Sequence, residues 1–484
     1  MNEMVRIKVA ASRLNVSTQT IRNWVTAGKL KVLRHPLNGY RLFEVKEIEA
    51  LAQSTLCIPT SNTPAETNIN KSVTPSFTLE ADGEKSIGLE TNTSKRPLNH
   101  IEESAADYSL ADPDLDWLRS TKPKKVYRPL KSVRIGDVFC GGGIFSIGVD
   151  EALRSNGMKP IHAFGIDFDK NAIDTFSANF PDSISIHSDI MEITDNVLGV
   201  DPSDAEKNFL RKVGGSVDIL IGGPPCQGNS DLNNHTRRSD KKNGLFFSMA
   251  RMTELLNPNF LIIENVPGVI HDKGEVVKKT SSSLEGLGYH VSTAVIDLRE
   301  IGVPQKRKRF VLVGAKKGRL DIEKVVLKFR VKARSIAWAI DDLKSRYNSE
   351  HIFDSSAKHS ETNQRRIEYL FSHNIYELPN AERPACHRDK PHSYGSVYGR
   401  MKWKEPAPTI TGGFGSTGQG RFVHPIFPRT LTPHEASRLQ FIPDYFSFPQ
   451  SVGRRAMQQI IGNAAPPKLS HVLICGAADE GILI

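Results

Sequence analysis

Apolar residues in the first fifty positions recur at helical spacing and then switch to alternation. Val9, Ala10, Ala11 and Leu14 share a helical face, and a turn follows at Asn15-Val16. Ser17 caps a second helix carrying Ile21, Trp24 and Val25, which Gly28 ends. Leu30, Val32 and Leu33, a turn at Pro36-Leu37-Asn38-Gly39, and Tyr40-Arg41-Leu42-Phe43 read as a β-hairpin. Val45, Ile48, Leu51 and Ala52 mark a last helix, so residues 1–53 form a small module. From 54 to 129 Ser, Thr, Asn, Pro and Glu dominate, which predicts a mostly disordered linker, with Leu115-Asp116-Trp117-Leu118 able to dock locally. Residues 130–315 alternate strand-like apolar runs with helical patterns; the strands include 133–139, 162–167, 217–221, 260–264 and 310–314. That rhythm predicts a doubly wound α/β domain with a largely parallel sheet. Residues 316–425 are less regular, more basic and rich in Gly, Pro and aromatics. Residues 426–484 follow, helical from Arg429 to Gln459.

A length of 484 residues, at roughly 150 per domain, implies two to four units. Lys and Arg total 64 against 54 Asp and Glu, a net charge of +10 that suits a polyanionic partner. Cys57, Cys140, Cys226, Cys386 and Cys475 are odd in number and contain no CxxC pair, which argues against a disulfide framework or a structural metal site. The N-terminus has no signal-peptide pattern, and no apolar stretch approaches the roughly 20 residues a membrane span needs. A cytoplasmic, membrane-free protein is expected.

Four motifs carry chemistry. Asp137-Val138-Phe139-Cys140-Gly141-Gly142-Gly143 ends the first α/β strand, where glycines let the backbone pass close to a ligand. A second strand ends at Asp167, whose carboxylate can accept hydrogen bonds from both ribose hydroxyls. Ser146 replaces the third glycine of a dinucleotide fingerprint, so the site suits a nucleoside without phosphates. Gly222-Gly223-Pro224-Pro225-Cys226-Gln227-Gly228 follows another strand, and its prolines stiffen the frame around a cysteine able to act as a nucleophile once deprotonated. Leu261-Ile262-Ile263-Glu264-Asn265 is an apolar strand ending in a carboxylate, which must be paired or protonated if buried. In Gln305-Lys306-Arg307-Lys308-Arg309, alternation puts Gln305, Arg307 and Arg309 on one face.

These motifs, in this order, resemble the DNA cytosine-5 methyltransferase family. So do Arg429-Thr430-Leu431-Thr432-Pro433-His434-Glu435-Ala436-Ser437-Arg438-Leu439-Gln440 and Ile461-Gly462-Asn463-Ala464-Ala465-Pro466-Pro467. The resemblance covers about residues 130–475. It implies an S-adenosylmethionine-dependent (Rossmann-like) enzyme acting on double-stranded DNA, with residues 316–425 as target recognition domain and 426–484 completing the catalytic domain. It implies that Phe139 borders the adenine, Gly141 and Gly143 line the methionine part, Asp167 binds the ribose, Asp189 contacts the adenine amine and Asn463 closes the pocket. It implies Cys226 as nucleophile on C6 of a flipped cytosine, Glu264 on N3 and the amino group, and Arg307 and Arg309 orienting the base and holding Glu264. Arg388, Lys390, Tyr394, Tyr398, Arg400 and Trp403 suit DNA contacts.

Residues 1–53 resemble the MerR-type winged helix-turn-helix, through Val16–Trp24 and Gly39–Phe43. That implies a second DNA contact, with Thr18, Gln19, Arg22 and Asn23 in the groove and Arg34 and Arg41 on the wing, serving autoregulation. A cognate restriction enzyme is a further expected partner. Two other readings remain at this point: a tRNA cytosine-5 methyltransferase, and a DNA-binding regulator with an inactive catalytic domain.

Overall fold

The computed structural model of the chain describes residues 4–6, 10–11, 13–14, 16, 20–21, 24–25, 30–34, 41–48, 50, 112–225, 244–272, 275–389 and 397–483. It divides into two units, Met1–Ile101 and Glu102–Ile484. In the first, β1 (Met4–Arg6), β2 (Leu33–Arg34) and β3 (Arg41–Glu44) form an antiparallel sheet with β3 in the middle. The expected hairpin is β2–β3, with Arg34 and Arg41 as register partners. Ala10, Ala11, Ile21, Leu30, Phe43 and Ile48 are buried together, with Leu14, Val16, Trp24, Val25 and Val32 packed on them. Thr18, Gln19, Arg22 and Asn23 lie outside the described residues.

The second unit is built on a seven-stranded sheet. Its strands are β4 (Ser132–Val138), β5 (Lys159–Asp167), β6 (Ile184–His187), β7 (Ile219–Gly222), β8 (Phe260–Asn265), β9 (His290–Asp297) and β10 (Lys308–Ala315), in the order β6-β5-β4-β7-β8-β10-β9. The first five strands are mutually parallel, whereas β10 pairs antiparallel with both β8 and β9. A short link of a 3-10 turn, Leu298–Ile301, and a loop joins β9 to β10. Antiparallel neighbours need no crossover helix, so that link suffices.

The helices are α1 (Pro113–Arg119), α2 (Ile144–Ser155), α3 (Lys170–Asn179), α4 (Asp204–Val213), α5 (Gly244–Leu256), α6 (Val276–Gly286), α7 (Ile322–Lys328), α8 (Ile336–Ile340), α9 (Glu361–Ser372), α10 (Pro433–Leu439), α11 (Arg454–Asn463) and α12 (Pro467–Asp479). Strand side chains alternate between two cores. Ile219, Ile221, Ile262, Val311 and Val313 enter the core shared with α2, α3 and α12. Leu220, Leu261, Ile263, Phe310 and Leu312 enter the core shared with α4, α5 and α6. A sheet covered on both faces reads as continuous apolar runs, which is why those strands were visible in sequence.

One expectation changes. Residues from Arg429 to Gln459 are not one helical stretch: α10 ends at Leu439, and α11 begins only at Arg454. Pro443, Pro449 and Gly453 interrupt the pattern between them. The stretch around Trp117 is helix α1, whose N-cap Asp112 accepts hydrogen bonds from Asp114 N and Leu115 N, with Pro113 at the first turn. Trp117 and Leu118 are buried. A separate small core joins Ile367 and Leu370 of α9 to Leu378, Val397, Tyr398 and Val423.

The chain leaves β4 toward β5 and β6 on one side, and resumes at β7 and β8 on the other. This opens a crevice where the carboxyl ends of β4 and β7 diverge. Among the described residues no helix is long and apolar enough to cross a membrane.

Candidate active site

A cavity of about 480 Å³ occupies that crevice. Its first wall is the turn after β4. Phe139, at φ 60, and Gly141 and Gly143, at φ 53 and 84, curl the backbone through the left-handed region. A side chain at 143 would also put its Cβ 2.4 Å from Phe180. Gly141 N donates to Asp167 Oδ2 at 2.8 Å, and Asp169 N donates to Asp167 Oδ1 at 2.9 Å. Asp167 therefore stands fixed at the end of β5, lining the cavity. Burial raises its carboxyl above the ordinary value, against those backbone N–H groups. Phe168 follows it, 65% exposed and also on the wall.

Asp137 lies beneath the turn, 2% exposed, and accepts a hydrogen bond from Ser146 Oγ at 2.7 Å. Burial pushes its carboxyl up to about 8, with the Ser146 hydrogen bond opposing and Asp167 adding to the rise. Cys140 is buried on the same wall, and burial, with Asp137 and Asp167 nearby, drives its thiol well above the ordinary range. That thiol is unsuited to nucleophilic work, because the thiolate is the reactive form. Asp167, held at the glycine turn by the Gly141 and Asp169 backbone N–H groups, disfavours a phosphate and suits a ligand bearing hydroxyls. S-adenosylmethionine, with its ribose, has that chemistry.

The opposite wall carries Pro224, Pro225, Glu264, Asn265, Arg307 and Arg309. Asn265 Nδ2 donates to Pro224 O at 3.1 Å, tying the end of β8 to the segment after β7. Glu264 is 9% exposed and is paired with Arg309, whose Nε lies 2.5 Å from its Oε1. The pairing demanded of a buried strand-end carboxylate is thus present. Arg307 is as buried, but donates to main-chain carbonyls: Ile410 O at 2.7 Å, Ala464 O at 2.9 Å and Gly462 O at 3.4 Å. Gln305 extends this framework, with Nε2 donating to Gln440 Oε1 at 2.6 Å and Oε1 accepting from Ile410 N at 3.1 Å. Arg307 and Gln305 splice the segment before β10 to residues 407–412 and to the end of α11. Thr409, Thr411, Gln459 and Asn463 complete the cavity rim from those two segments.

The structure thus gathers Phe139, Gly141, Asp167, Glu264, Arg307, Arg309 and Asn463 at one cavity, with Gly143 shaping its turn. Asp189 is not among the lining residues; its Oδ1 accepts from Met191 N at 3.0 Å, capping a short 3-10 turn. Cys226 lies outside the described residues, as do Lys390 and Tyr394. Arg388 is exposed, but Tyr398, Arg400 and Trp403 turn inward. The Arg400 guanidinium stacks 4.0 Å over Phe371 and donates to Pro425 O, so it braces the small core. Sequence reasoning missed Asp137, Phe168, Asn265 and Gln459 as wall residues. An aromatic directly after a strand-end acid was a usable signal for Phe168; burial of Asp137 had none.

The model of the C-5 cytosine-specific DNA methylase family matches residues 133–475, and that of the MerR family regulatory proteins matches residues 6–43. The chain is 44% identical over 360 residues to the Type II methyltransferase M1.BsuMI of Bacillus subtilis, covering 74% of this chain and 84% of that one. It is 34% identical over 268 residues to the Type II methylase M.HgiDII of Herpetosiphon aurantiacus, covering 53% and 74%. It is 29% identical over 346 residues to the Type II methyltransferase M1.HphI of Haemophilus parahaemolyticus, covering 70% and 84%. With a match over most of its length and a relative this similar, the chain belongs to the C-5 cytosine-specific DNA methylase family, enzymes that transfer a methyl group from S-adenosylmethionine to carbon 5 of cytosine in DNA.

Proposed function

We propose that this chain methylates cytosine within a specific duplex sequence, through a covalent bond between Cys226 and C6 of a base flipped into the cavity. The observation that carries this reading is the buried Glu264–Arg309 pair, on the wall it shares with Pro225, whose next residue in sequence is Cys226. Attack of the Cys226 thiolate on C6 moves electron density onto C5. Glu264 faces N3 and the 4-amino group, and a proton shared with N3 takes up the charge pushed into the ring. Arg309 holds the Glu264 carboxylate in place, and Arg307 fixes the rim segments around the base. The bound donor supplies an electrophilic methyl group. C5 bonds to that methyl group; its proton then passes to solvent, and the freed electron pair re-forms the C5–C6 double bond as the Cys226 thiolate leaves.

At the other end of the cavity, Asp167 accepts hydrogen bonds from the ribose hydroxyls and Phe139 and Phe168 border the adenine. Gly141 and Gly143 let the backbone approach the methionine part, and Asn463 closes the pocket. Residues 316–425 serve as the target recognition domain, and 426–484 complete the catalytic domain. Residues 1–53 supply a second DNA contact that binds the gene's own upstream region, in a cytoplasmic enzyme paired with a cognate restriction enzyme.

Duplex DNA with 5-fluorocytosine at a site mapped by bisulfite sequencing tests the covalent step. In the presence of the donor, wild type should give an adduct stable in a denaturing gel, and Cys226→Ala should give none and no methyl transfer. A folded wild-type enzyme that methylates ordinary DNA yet leaves no adduct would overturn this mechanism.

A further inference from the structure

Between α1 and β4 the chain runs as an exposed, irregular strap, residues 121–131. It carries Lys122, Lys124, Lys125, Arg128 and Lys131 and no acidic residue. All five cations are exposed, and none forms an ion pair among the described residues. Lys124 lies near enough to Glu151 to lower that carboxyl against the effect of burial. Tyr127 is 87% exposed, and Leu130 is 82% exposed.

The strap is anchored at both ends. Upstream, α1 is held by Arg334 on Asp112 and Asp114 at 3.1 and 2.8 Å, and by Lys468 on Asp114 at 2.6 Å. Downstream, Leu130 N donates to Gly157 O and Lys131 O accepts from Lys159 N, each at 2.9 Å. In the middle, Lys124 O accepts from Arg154 at 3.2 Å. Pro123 and Pro129 limit backbone freedom between these points. β4 starts at Ser132 and runs toward the cavity. The strap therefore lies at the opposite edge of the sheet, about 20 Å from the turn at Phe139. The match to the family model begins at residue 133, just after the strap.

A fixed row of exposed cations, none of them in an ion pair among the described residues, suits a polyanion. Eleven residues span at most about 40 Å, close to one turn of B-form DNA. Lysine, arginine and tyrosine side chains are the usual donors to phosphate oxygens. The geometry points to a further, sequence-independent DNA surface: the strap 121–131 grips the phosphate backbone of a duplex segment other than the one in the catalytic cleft. Such a grip holds the enzyme on long DNA between catalytic encounters.

The test replaces Lys122, Lys124, Lys125, Arg128 and Lys131 together by Gln in the full chain, leaving residues 1–53 unchanged. Two duplexes are compared: a long one without the target sequence, and a short one just long enough to fill the cleft. Binding to the long duplex at low salt should weaken at least about 10-fold, and the slope of log K against log salt should become shallower by about 4, nearly one per lost phosphate contact. Thermal unfolding, and kcat/KM on the short duplex, should match wild type. Unchanged affinity and slope on the long duplex would overturn the proposal and leave the strap to another partner. An equal loss of kcat/KM on the short duplex would overturn it too, because the strap would then belong to the catalytic groove.

Discussion

Asp137 ends its burial problem by keeping its proton. It is 2% exposed, its one hydrogen-bonding side chain is Ser146, and its carboxyl is pushed up to about 8 from 3.8. Between those values the folded chain carries a proton that the unfolded chain has released, so this group's contribution to stability falls as pH rises through the window. Asp137→Asn keeps the acceptor for Ser146 and removes the dependence. Its stability advantage should be small at pH 4 and on the order of 5 kcal/mol at pH 8, measured by urea unfolding without donor. An advantage that is equal at both pH values would mean that Asp137 does not titrate in this range. The sequence displayed Asp137 within its motif but gave no sign of its burial. Alternation put Arg307 and Arg309 on one face, but a run of charges by itself reads as a solvated surface, and it is the fold that buries both. Alternation also left open which of them meets Glu264, because Arg307 is claimed by Ile410, Gly462 and Ala464, more than a hundred residues away. The bracing role of Arg400 was hidden for the same reason: its partners, Phe371 and Pro425, are distant in sequence.

Among the elements, α1 shows how a short helix can hold on tertiary contacts. At seven residues it is too short to be stable alone. Asp112 caps it, and Trp117 packs edge-on against Phe441 at 5.3 Å and tilted against His471 at 5.1 Å. Asp444 N donates to Leu118 O at 3.1 Å, adding a main-chain tie. Trp117→Ala should cost about 3–5 kcal/mol, the usual loss for a large buried aromatic. Urea unfolding of the full chain would read this, and a cost under about 1 kcal/mol would show that α1 merely rests on the surface. The Leu-Asp-Trp-Leu run was legible as a stretch able to dock; the Asp-Pro helix start and the groove it fills were not. β4, β7, β8 and β10 were legible because both faces of the sheet are covered and their runs are continuously apolar. β6, with four residues, and β9, whose burial alternates with Ser and Thr, lacked that signal.

For the whole molecule, the question is why a methyltransferase carries residues 1–53. Six motif blocks in order identified the catalytic unit from sequence, and transfer to one base needs one DNA surface. The first unit nonetheless has its own core of Ala10, Ala11, Ile21, Leu30, Phe43 and Ile48, and the family match at 6–43 is to regulatory proteins. The sheet and the two cores that cover it are built, among the described residues, from residues of the second unit. Autoregulation then makes a separable prediction. In gel-shift assays with the gene's upstream region, the full chain should bind at salt concentrations where random duplex of equal length does not. The deletion should lose that preference while keeping kcat for methyl transfer within about 2-fold, because specific modules bind their sites roughly 10³-fold or more above background. A preference that survives the deletion would assign upstream binding to the target recognition domain instead. A full chain that binds the upstream region no better than random duplex would remove autoregulation as the reason for the module.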